Sequence, residues 1–353
     1  MSVSQPFRLL VFRFSAIGDV AMTIPVLWSL INQFPNIEVT YVSRSFAGEL
    51  LKSLPSVQFI EFDPIVKHKG LFGIFKLYKE LKSIGTWDGV VDLHDVLRTK
   101  FLCFLFRTSG TRVSIIDKGR KDKRQLTRKN NKYFVPIKHT VIRYSEVFQK
   151  LGLGLVINLD FKSLTKTPIP LNETILKFTG VKEGKWIGIA PFAKHKGKTY
   201  PLEGMKNVIE ELARVPSFKI MLFGAKGDER LALESISIHY SNVKNLAGVF
   251  SIDQELEIIS NLNLMVSMDS ANMHLASLVG VPVISIWGAT HPFTGFYGWN
   301  QPTENAIQVD LECRPCSVFG NKPCYRGDYA CLNFIEPGHI ASKVIDILCN
   351  DDI

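Results

Sequence analysis

The stretch FRLLVFRFSAIGDV, residues 7–20, decides the fold. Its apolar part, Arg8 to Phe12, predicts a short buried strand, and Val20 to Phe34 predicts a helix. The loop between them contains a glycine and an acidic residue, Gly18 and Asp19. A buried strand that leads through such a loop into a helix is the repeating unit of doubly wound α/β domains.

The same alternation continues along the chain. Further strands of the first series are predicted at residues 37–42, 57–62 and 88–93, with helices at 45–54, 71–84 and 140–150. Because helical segments join successive strands, the crossovers should be right-handed and the sheet parallel. The polar, turn-rich segment 162–170 predicts a domain boundary.

A second series with the same pattern follows that boundary. Its strands are predicted at residues 186–190, 219–223, 264–267 and 281–286, with helices at 228–240, 252–261 and 271–279. We therefore predict an α/β fold of two Rossmann-like, doubly wound parallel-sheet lobes, residues 1–165 and 166–353, which face each other across a cleft. A closing helix at 337–349 belongs to the second lobe or packs back on the first.

The composition is that of a globular, basic protein. Of 353 residues 46% are hydrophobic, which excludes disorder and fibrous repeats, and 42 Lys and Arg against 33 Asp and Glu give a net charge of +9. The excess is concentrated in a basic segment, residues 118–132, which has eight basic residues and one acidic residue. Phospholipid headgroups, phosphorylated glycans and nucleic acid are possible anionic partners, and a solvated loop is the alternative.

Sequence motifs limit both the class of partner and the location of the protein. No helix-turn-helix, RNP or zinc-finger pattern accompanies the basic segment, so we expect no nucleic-acid partner. The first apolar run, residues 9–12, is closed by Arg13 and predicts no secretory signal, and Gly, Pro and His interrupt the uncharged run 270–303. We expect a cytoplasmic protein.

The loop after the first strand, residues 13–19, is the first candidate site. Gly18 allows a tight turn, and amides at a helix start can bind an anion. Asp19 can accept a proton from a substrate hydroxyl, or it can cap the helix. The segment lacks the G-x-G-x-x-G fingerprint of dinucleotide-binding proteins.

Loops of the second series contain the other candidates. Ser270 and the amides after it can hold a diphosphate, while Asp269 can cap the helix and His274 can be a buried structural histidine. The loop after residue 190 contains Lys194, Lys196 and Lys198, which suit a phosphate or a developing negative charge and equally suit a surface loop.

Two further features leave alternatives open. Asp228 and Glu229 can bind a ribose or complement a helix start. Four cysteines have the spacing C-x2-C-x7-C-x6-C, which indicates either reduced thiols or a structural zinc site: Cys313, Cys316, Cys324 and Cys331. The second pair is spaced more widely than is usual for zinc, so we expect no metal.

Several motifs in order resemble glycosyltransferase family 9, the bacterial lipopolysaccharide heptosyltransferases. The similar segments are residues 12–20 (FRFSAIGDV), 269–276 (DSANMHLA), 281–292 (VPVISIWGATHP) and the cysteine-rich segment that begins at Cys313. Ala271, Asn272 and His291 stand where the family often has other residues. These departures bear on the identity of the donor sugar more than on the type of reaction.

The resemblance implies a GT-B fold and an inverting sugar transfer without a cofactor or a catalytic metal. It implies that Asp19 is the general base and that Lys198 stabilises the leaving phosphate, with Lys194 and Lys196 as competitors. The donor is expected to be ADP-heptose, in contact with Asp269, Ser270, Ala271, His274, Asp228 and Glu229. Another nucleotide sugar, a hydrolase or epimerase of the same fold, or a non-catalytic binding protein are the alternatives.

The expected acceptor is an anionic lipopolysaccharide core anchored in the inner membrane. Charge alone can hold such an acceptor and the inner-membrane surface without a hydrophobic anchor. We therefore expect peripheral association with the inner face of the cytoplasmic membrane. The acceptor contacts are assigned to Ser15, Lys67, Lys69, Lys121 and Arg124, all in the first lobe.

Overall fold

A computed structural model describes residues 6–151 and 158–350. By its internal contacts the chain divides into unit 1, residues 1–118 and 138–161, and unit 2, residues 119–137 and 162–353. The division at residue 161 lies close to the predicted boundary at 165. The segment 119–137 is the exception, because it groups with unit 2 and not with the first lobe as predicted.

Unit 1 is built on a parallel sheet of five strands in the order β3-β2-β1-β4-β5. The strands are β1 (Phe7–Phe12), β2 (Ile37–Ser43), β3 (Val57–Glu61), β4 (Gly89–Asp92) and β5 (Arg112–Ile115). Its helices are α1 (Ile17–Ala21), α2 (Ile24–Gln33), α3 (Phe46–Leu51), α4 (Gly70–Ser83), α5 (Leu97–Thr108) and, after an intervening helix of unit 2, α7 (Thr140–Gln149).

Unit 2 contains a parallel sheet of six strands in the order β11-β10-β9-β6-β7-β8. The strands are β6 (Lys185–Ala190), β7 (Phe218–Leu222), β8 (Val243–Asn245), β9 (Leu264–Met268), β10 (Val283–Ile286) and β11 (Ala306–Ile307). The helices are α6 (Arg120–Thr127), α8 (Glu173–Thr179), α9 (Leu202–Ala213), α10 (Asp228–Ser237), α11 (Ile252–Ser260), α12 (Ala271–Leu278), α13 (Ala330–Asn333) and α14 (Pro337–Asn350).

Each sheet has a switch point, where the strand order changes direction along the chain. In unit 1 it lies between β1 and β4, and in unit 2 between β6 and β9. Strands beside the switch points, such as β1 and β9, are apolar and mostly buried, as parallel strands covered on both faces are, whereas the outer strands β3 and β5 are partly exposed. The predicted doubly wound α/β class is confirmed, and ligands of such sheets bind at the carboxyl ends of the strands beside the switch point.

Two predicted helices differ from the structure in an informative way. The helix predicted over 20–34 is two helices, α1 and α2. Pro25 lacks the amide hydrogen that would continue α1, and the second helix begins at Ile24 with Pro25 in its first turn. The closing helix α14 packs against α9 within unit 2, where Ile340, Ala341 and Val344 are buried. By its internal contacts the helix belongs to unit 2.

None of the described helices is both long and apolar enough to cross a bilayer.

Candidate functional site

The loop after β1 holds Asp19 against a buried arginine. The Nη2 atom of Arg13 lies 2.5 Å from Oδ2 of Asp19, and Nη1 of Arg13 donates a hydrogen bond of 2.8 Å to the carbonyl of Leu93. The backbone amide of Ala16 donates to the same Oδ2 at 3.2 Å. Asp19 is the third residue of α1, and Ala16 is the N-cap. The predicted capping role is therefore modified: Asp19 accepts a hydrogen bond from the amide of the N-cap residue, but it is not the N-cap residue itself.

Electrostatics keep the arginine charged although it is buried. Burial by itself lowers the pKa of Arg13, and the nearby Tyr144, Asp19 and Tyr41 outweigh that effect, so the pKa is raised. The Arg13 guanidinium also lies 5.9 Å from the centre of the Tyr144 ring. Arg13 therefore holds the Asp19 carboxylate in one orientation, while the Asp19 side chain keeps 29% of its surface exposed.

His94 is a member of this site that the sequence analysis missed. It follows β4, which is the neighbour of β1, and its Nδ1 accepts a 3.3 Å hydrogen bond from the amide of Phe14. Burial, together with the charges of Arg13 and Lys118, lowers the pKa of His94 to about 3. The same logic of strand-to-helix loops could have found it, because His94 and Asp95 directly follow the strand predicted at residues 88–93.

This histidine, with His291 of unit 2, predicts a loss of stability in mild acid. The pKa of His291 is lowered to about 4 by burial and by Arg314. Below pH 6.5, the ordinary value, the unfolded chain binds protons that the folded chain does not, so stability is complete above that pH and falls as the pH drops towards 4 and 3. Each histidine contributes a slope of up to about 1.4 kcal/mol per pH unit.

Urea unfolding between pH 7.5 and 4 measures this slope. The substitution His94→Asn keeps a hydrogen-bond acceptor for the Phe14 amide and removes the titration, so we expect a shallower fall in unfolding free energy than in the unsubstituted protein. Normalising both proteins at pH 7.5 separates the effect of the substitution itself from the pH effect. An unchanged slope would show that folding does not lower the pKa of His94.

In unit 2 the switch point brings Lys198 and Asp269 together. Lys198 ends a short 3-10 helix, Lys196–Lys198, in the loop after β6, and Asp269 follows β9, the neighbour of β6. Their Nζ and Oδ2 atoms are 3.0 Å apart, with 17% and 5% of the two side chains exposed. Two charges this enclosed are stable only as a pair. The N-cap of α12 is Ser270, so Asp269 is not the cap.

The competing lysines have different surroundings. Lys194 is exposed, and Nζ of Lys196 lies 5.0 Å from the centre of the Tyr329 ring. Lys198 alone among these three is paired with a carboxylate at the end of the neighbouring strand. Among these three lysines the structure therefore favours Lys198 as the one that faces an anion at the switch point.

Close backbone packing holds the Lys198 loop in place. The amide of Ala289 donates to the carbonyl of Gly197 at 2.8 Å. Gly320 has φ of +72°, and a Cβ atom there would lie 2.4 Å from Cγ of Lys198, so the site requires glycine at this position. The stem of Lys198 is thus enclosed between segments that are far apart in the sequence.

Arg314 is a second residue that sequence reasoning missed. Its guanidinium is buried and donates to the carbonyls of Gly288 at 2.6 Å, Val309 at 2.5 Å and Thr290 at 3.0 Å. Burial lowers the pKa of Arg314. Arg314 therefore organises the loop after β10, against which the Lys198 loop packs, and no sequence pattern marked it.

The remaining predicted donor residues have mixed surroundings. Ser270 is 3.1 Å from the hydroxyl of Ser267, Ala271 begins α12, and His274 is buried on that helix. Glu229 accepts a 2.7 Å hydrogen bond from the amide of Ala225, so at least one of its oxygens supports the loop, whereas Asp228 is exposed at the start of α10. Asp228 is therefore the more available of the two carboxylates.

The predicted acceptor residues are divided between the two units. Ser15 lies in the Asp19 loop, Lys69 is exposed, and Lys67 forms a 3.0 Å ion pair with Glu80. Lys121 and Arg124 lie on α6, which belongs to unit 2, so their placement in the first lobe was wrong. The segment packs there because Nζ of Lys123 lies over the Phe296 ring and the amide of Ile137 donates to the carbonyl of Phe293.

The four cysteines are free thiols. Sγ of Cys316 is directed at the carbonyl of Ala289 and Sγ of Cys324 at Asp328. Burial raises the pKa of Cys316, and it raises that of Cys331 to about 11. Within residues 6–151 and 158–350, no three His, Cys, Asp or Glu residues converge to hold a metal ion, so the zinc alternative finds no support in their geometry.

Two parallel, doubly wound α/β units with charged side chains at their switch points are the architecture of the GT-B class of glycosyltransferases. Residues 74–324 match the model of glycosyltransferase family 9 (heptosyltransferase). The chain belongs to this family, and the predicted enzyme class is confirmed.

Individual proteins agree with this assignment. Lipooligosaccharide heptosyltransferase 2 of Campylobacter jejuni is 25% identical over 96% of this chain and 97% of its own length. The glycosyl transferase family 9 structure from Veillonella parvula matches with a TM-score of 0.74 at 19% identity, covering 99% of both chains. The E. coli heptosyltransferase WaaC with ADP matches with a TM-score of 0.70 at 19% identity, covering 97% of this chain and all of WaaC.

Proposed function

We propose that this protein transfers a heptose from ADP-heptose to a lipopolysaccharide core acceptor, with inversion at the anomeric carbon. The observation that carries the proposal is the enclosed pair of Lys198 and Asp269 at the switch point of unit 2. Family membership supports it, as do the relatives named lipopolysaccharide and lipooligosaccharide heptosyltransferases and a similar structure that holds ADP-2-deoxy-2-fluoro heptose.

The proposed reaction is a single displacement. The Asp19 carboxylate takes the proton of the acceptor hydroxyl, and that oxygen forms a bond to the anomeric carbon. The bond between this carbon and the diphosphate oxygen breaks, and ADP leaves with the electron pair. The ammonium of Lys198 balances the negative charge that develops on the leaving phosphate, so the proposed step uses this residue in place of a metal ion.

Donor contacts are proposed at the start of α12. Ser270, Ala271 and the amides after them face an anion favourably because helix N-termini attract negative charge. Asp269 keeps Lys198 in position, and His274 lies within the first two turns of the same helix. Asp228 is proposed as the ribose contact in preference to Glu229, which already supports its own loop.

The acceptor is proposed to be an anionic glycolipid held at the inner face of the cytoplasmic membrane. The proposed contacts in unit 1 are Ser15 of the Asp19 loop and Lys67 and Lys69 of the loop before α4. Lys121 and Arg124 of α6 attract the phosphorylated core by charge. Basic residues near an anionic surface contribute about 1 kcal/mol each, and salt screens this attraction.

The experiment that tests the function is a donor screen followed by a transfer assay. Thermal unfolding is measured with ADP-heptose and with UDP-, GDP- and CMP-sugars, and turnover is then measured on truncated lipopolysaccharide. We expect the largest rise in melting temperature with ADP-heptose and product only when glycolipid is added. A shift with another nucleotide class alone would overturn the donor, and product without glycolipid would indicate a hydrolase or epimerase.

The basic segment yields a separate prediction. Replacing Lys121 and Arg124 with glutamine should raise the KM for the glycolipid several-fold at low salt and leave kcat nearly unchanged, because these side chains attract the acceptor and do not take part in the reaction. The measurement is the salt dependence of KM in both proteins. If the substituted and unsubstituted proteins have the same KM and the same salt dependence, the basic segment contributes to solubility and not to acceptor binding.

A further inference from the structure

An exposed apolar surface lies on unit 1, around the loop before α4. Phe72 is 92% exposed and Leu71 is 69% exposed, and three further exposed apolar side chains accompany them: Ile65, Val66 and Phe75. We call these five residues the apolar patch. Isolated exposed apolar residues are ordinary, whereas a cluster of large ones indicates an interaction surface.

The helix carries the patch on one side only. Ile74, Leu77 and Leu81 of α4 are buried in the core of unit 1. Leu71 and Phe75 are four residues apart and therefore neighbours on the outward side of the helix, and Phe72 lies three residues before Phe75. The solvent-facing side of a surface helix is ordinarily polar, whereas the first turns of α4 expose apolar side chains on that side.

The loop before the helix is rigidly built, so the apolar side chains are presented by a fixed scaffold. The carboxylate of Asp63 accepts hydrogen bonds from the amides of Ile65 and Val66 at 2.9 and 3.1 Å. His68 is buried, stacks on Phe62 with ring centres 5.7 Å apart, and is 3.2 Å from Glu80.

Gly73 allows the first turn of α4 to pack closely against the loop before it. A Cβ atom on Gly73 would lie 2.2 Å from the carbonyl carbon of His68, so only glycine fits where the helix approaches the loop. The loop and the first turn of α4 therefore form one compact unit, from which Ile65, Val66, Leu71 and Phe72 project into solvent.

The positive charge near the apolar patch indicates an anionic partner. Residues 63–82 contain five lysines and two carboxylates. One carboxylate, Asp63, is occupied by backbone amides, and the other, Glu80, pairs with Lys67. Lys69, Lys76 and Lys79 are exposed and lie close to the patch in the sequence, and Nζ of Lys79 is 5.0 Å from the centre of the Phe75 ring. Large exposed apolar residues interspersed with exposed lysines match an anionic bilayer, where the apolar side chains enter the acyl boundary and the lysines meet the headgroups.

We propose that the apolar patch and its lysines dock unit 1 on an anionic phospholipid bilayer. The proposal goes beyond sugar transfer, because it needs neither nucleotide sugar nor glycolipid. It also differs from the expectation that charge alone holds the protein at the membrane, since the apolar side chains supply a shallow hydrophobic anchor.

The test uses the full-length protein and vesicles without lipopolysaccharide. Sedimentation with vesicles of phosphatidylethanolamine and phosphatidylglycerol should recover the protein, and vesicles of phosphatidylcholine alone should recover much less. The substitution of Leu71 and Phe72 by serine should lower the partition coefficient by about tenfold or more, because both side chains lose their apolar contact with the acyl boundary. Replacing Lys69, Lys76 and Lys79 with glutamine should weaken binding and remove most of its salt dependence.

A matched control separates docking from general surface polarity. Leu231 of α10 is 69% exposed, as Leu71 is, and Phe334 is also exposed. The pair Leu231→Ser and Phe334→Ser should leave vesicle binding unchanged. Equal losses in both pairs, or wild-type binding after the Leu71 and Phe72 substitutions, would overturn the proposal.

A second copy of the chain is the competing occupant. If the wild-type protein does not bind vesicles, and sedimentation velocity shows a dimer that the Leu71 and Phe72 substitutions dissociate, the patch is a protein interface and the proposal fails. Because these measurements contain no substrate, their outcome is independent of the donor screen. Failure here and failure of the proposed transfer reaction can thus be told apart.

Discussion

Replacing Asp19 with asparagine is expected to reduce turnover about a thousandfold while donor binding is retained. Asparagine keeps the shape of the side chain and its contact with the Ala16 amide, and it cannot accept the acceptor proton. The Arg13 guanidinium keeps its hydrogen bond to Leu93, so the loop retains part of its support. Single-turnover kinetics with ADP-heptose and glycolipid measure the loss, and thermal shift with ADP-heptose measures binding.

The control for this substitution is a carboxylate of the same unit far from the site. Glu38 lies on β2 at the opposite end of the sheet and forms a 3.4 Å surface ion pair with Arg8. Glu38→Gln should leave turnover unchanged. If Asp19→Asn lowers turnover by only about fivefold or less, a loss far smaller than that expected on removing a general base, Asp19 is not the base.

Replacing Lys198 with methionine is expected to lower kcat about 10²- to 10³-fold, because the charge that develops on the leaving phosphate is no longer balanced. Lys194→Met is the matched control, since it removes an exposed lysine four residues away and should change kcat little. Equal losses from both substitutions would mean that the loop acts through its total charge, and a large loss only at Lys194 would reverse the assignment.

Stability must be separated from chemistry in this experiment. Lys198→Met leaves the enclosed carboxylate of Asp269 without its partner, which costs about 3–5 kcal/mol in buried pairs. The double substitution Lys198→Met and Asp269→Asn removes that unpaired charge and should recover most of the melting temperature. Turnover should stay low in the double variant. Recovery of both properties together would show that Lys198 acts only through folding.

Much of the fold was predictable because hydrophobic patterning reports burial directly. Strands such as β1 and β9 are short runs of large apolar residues, and predicted helices such as α4 and α11 have buried residues on one face. The helices α5 and α9 also have buried residues on one face and were not predicted. The short strands β5, β8 and β11 were missed, because strands of two to four residues carry too little periodicity. The interruption of the first helix could have been predicted from Pro25.

Part of each candidate site was also predictable from its position after a strand. Asp19 and Lys198 follow the first strands of the two series, where loops of doubly wound sheets bind ligands. His94 follows the same rule and was overlooked. Arg13 and Arg314 were not predictable as organising residues, because their partners Leu93 and Gly288 lie far from them in the sequence.

The segment 118–132 shows where sequence order misleads. Its charge was evident from composition, and its position in the chain suggested the first lobe. Contacts of Lys123 with Phe296 and of Ile137 with Phe293 place residues 119–137 in unit 2. Chain order carries no information about which surface a connecting segment covers.

The sequence by itself determined the alternation of buried strands and amphipathic helices, the loops that contain Asp19 and Lys198, and the family, since these follow from local patterns of residue type. The tertiary structure decided which distant residues meet: Lys198 with Asp269, and Arg13 with the carbonyl of Leu93. The physical reason is that hydrophobic burial selects strands through local composition, whereas these contacts depend on strand order, which joins residues distant along the chain.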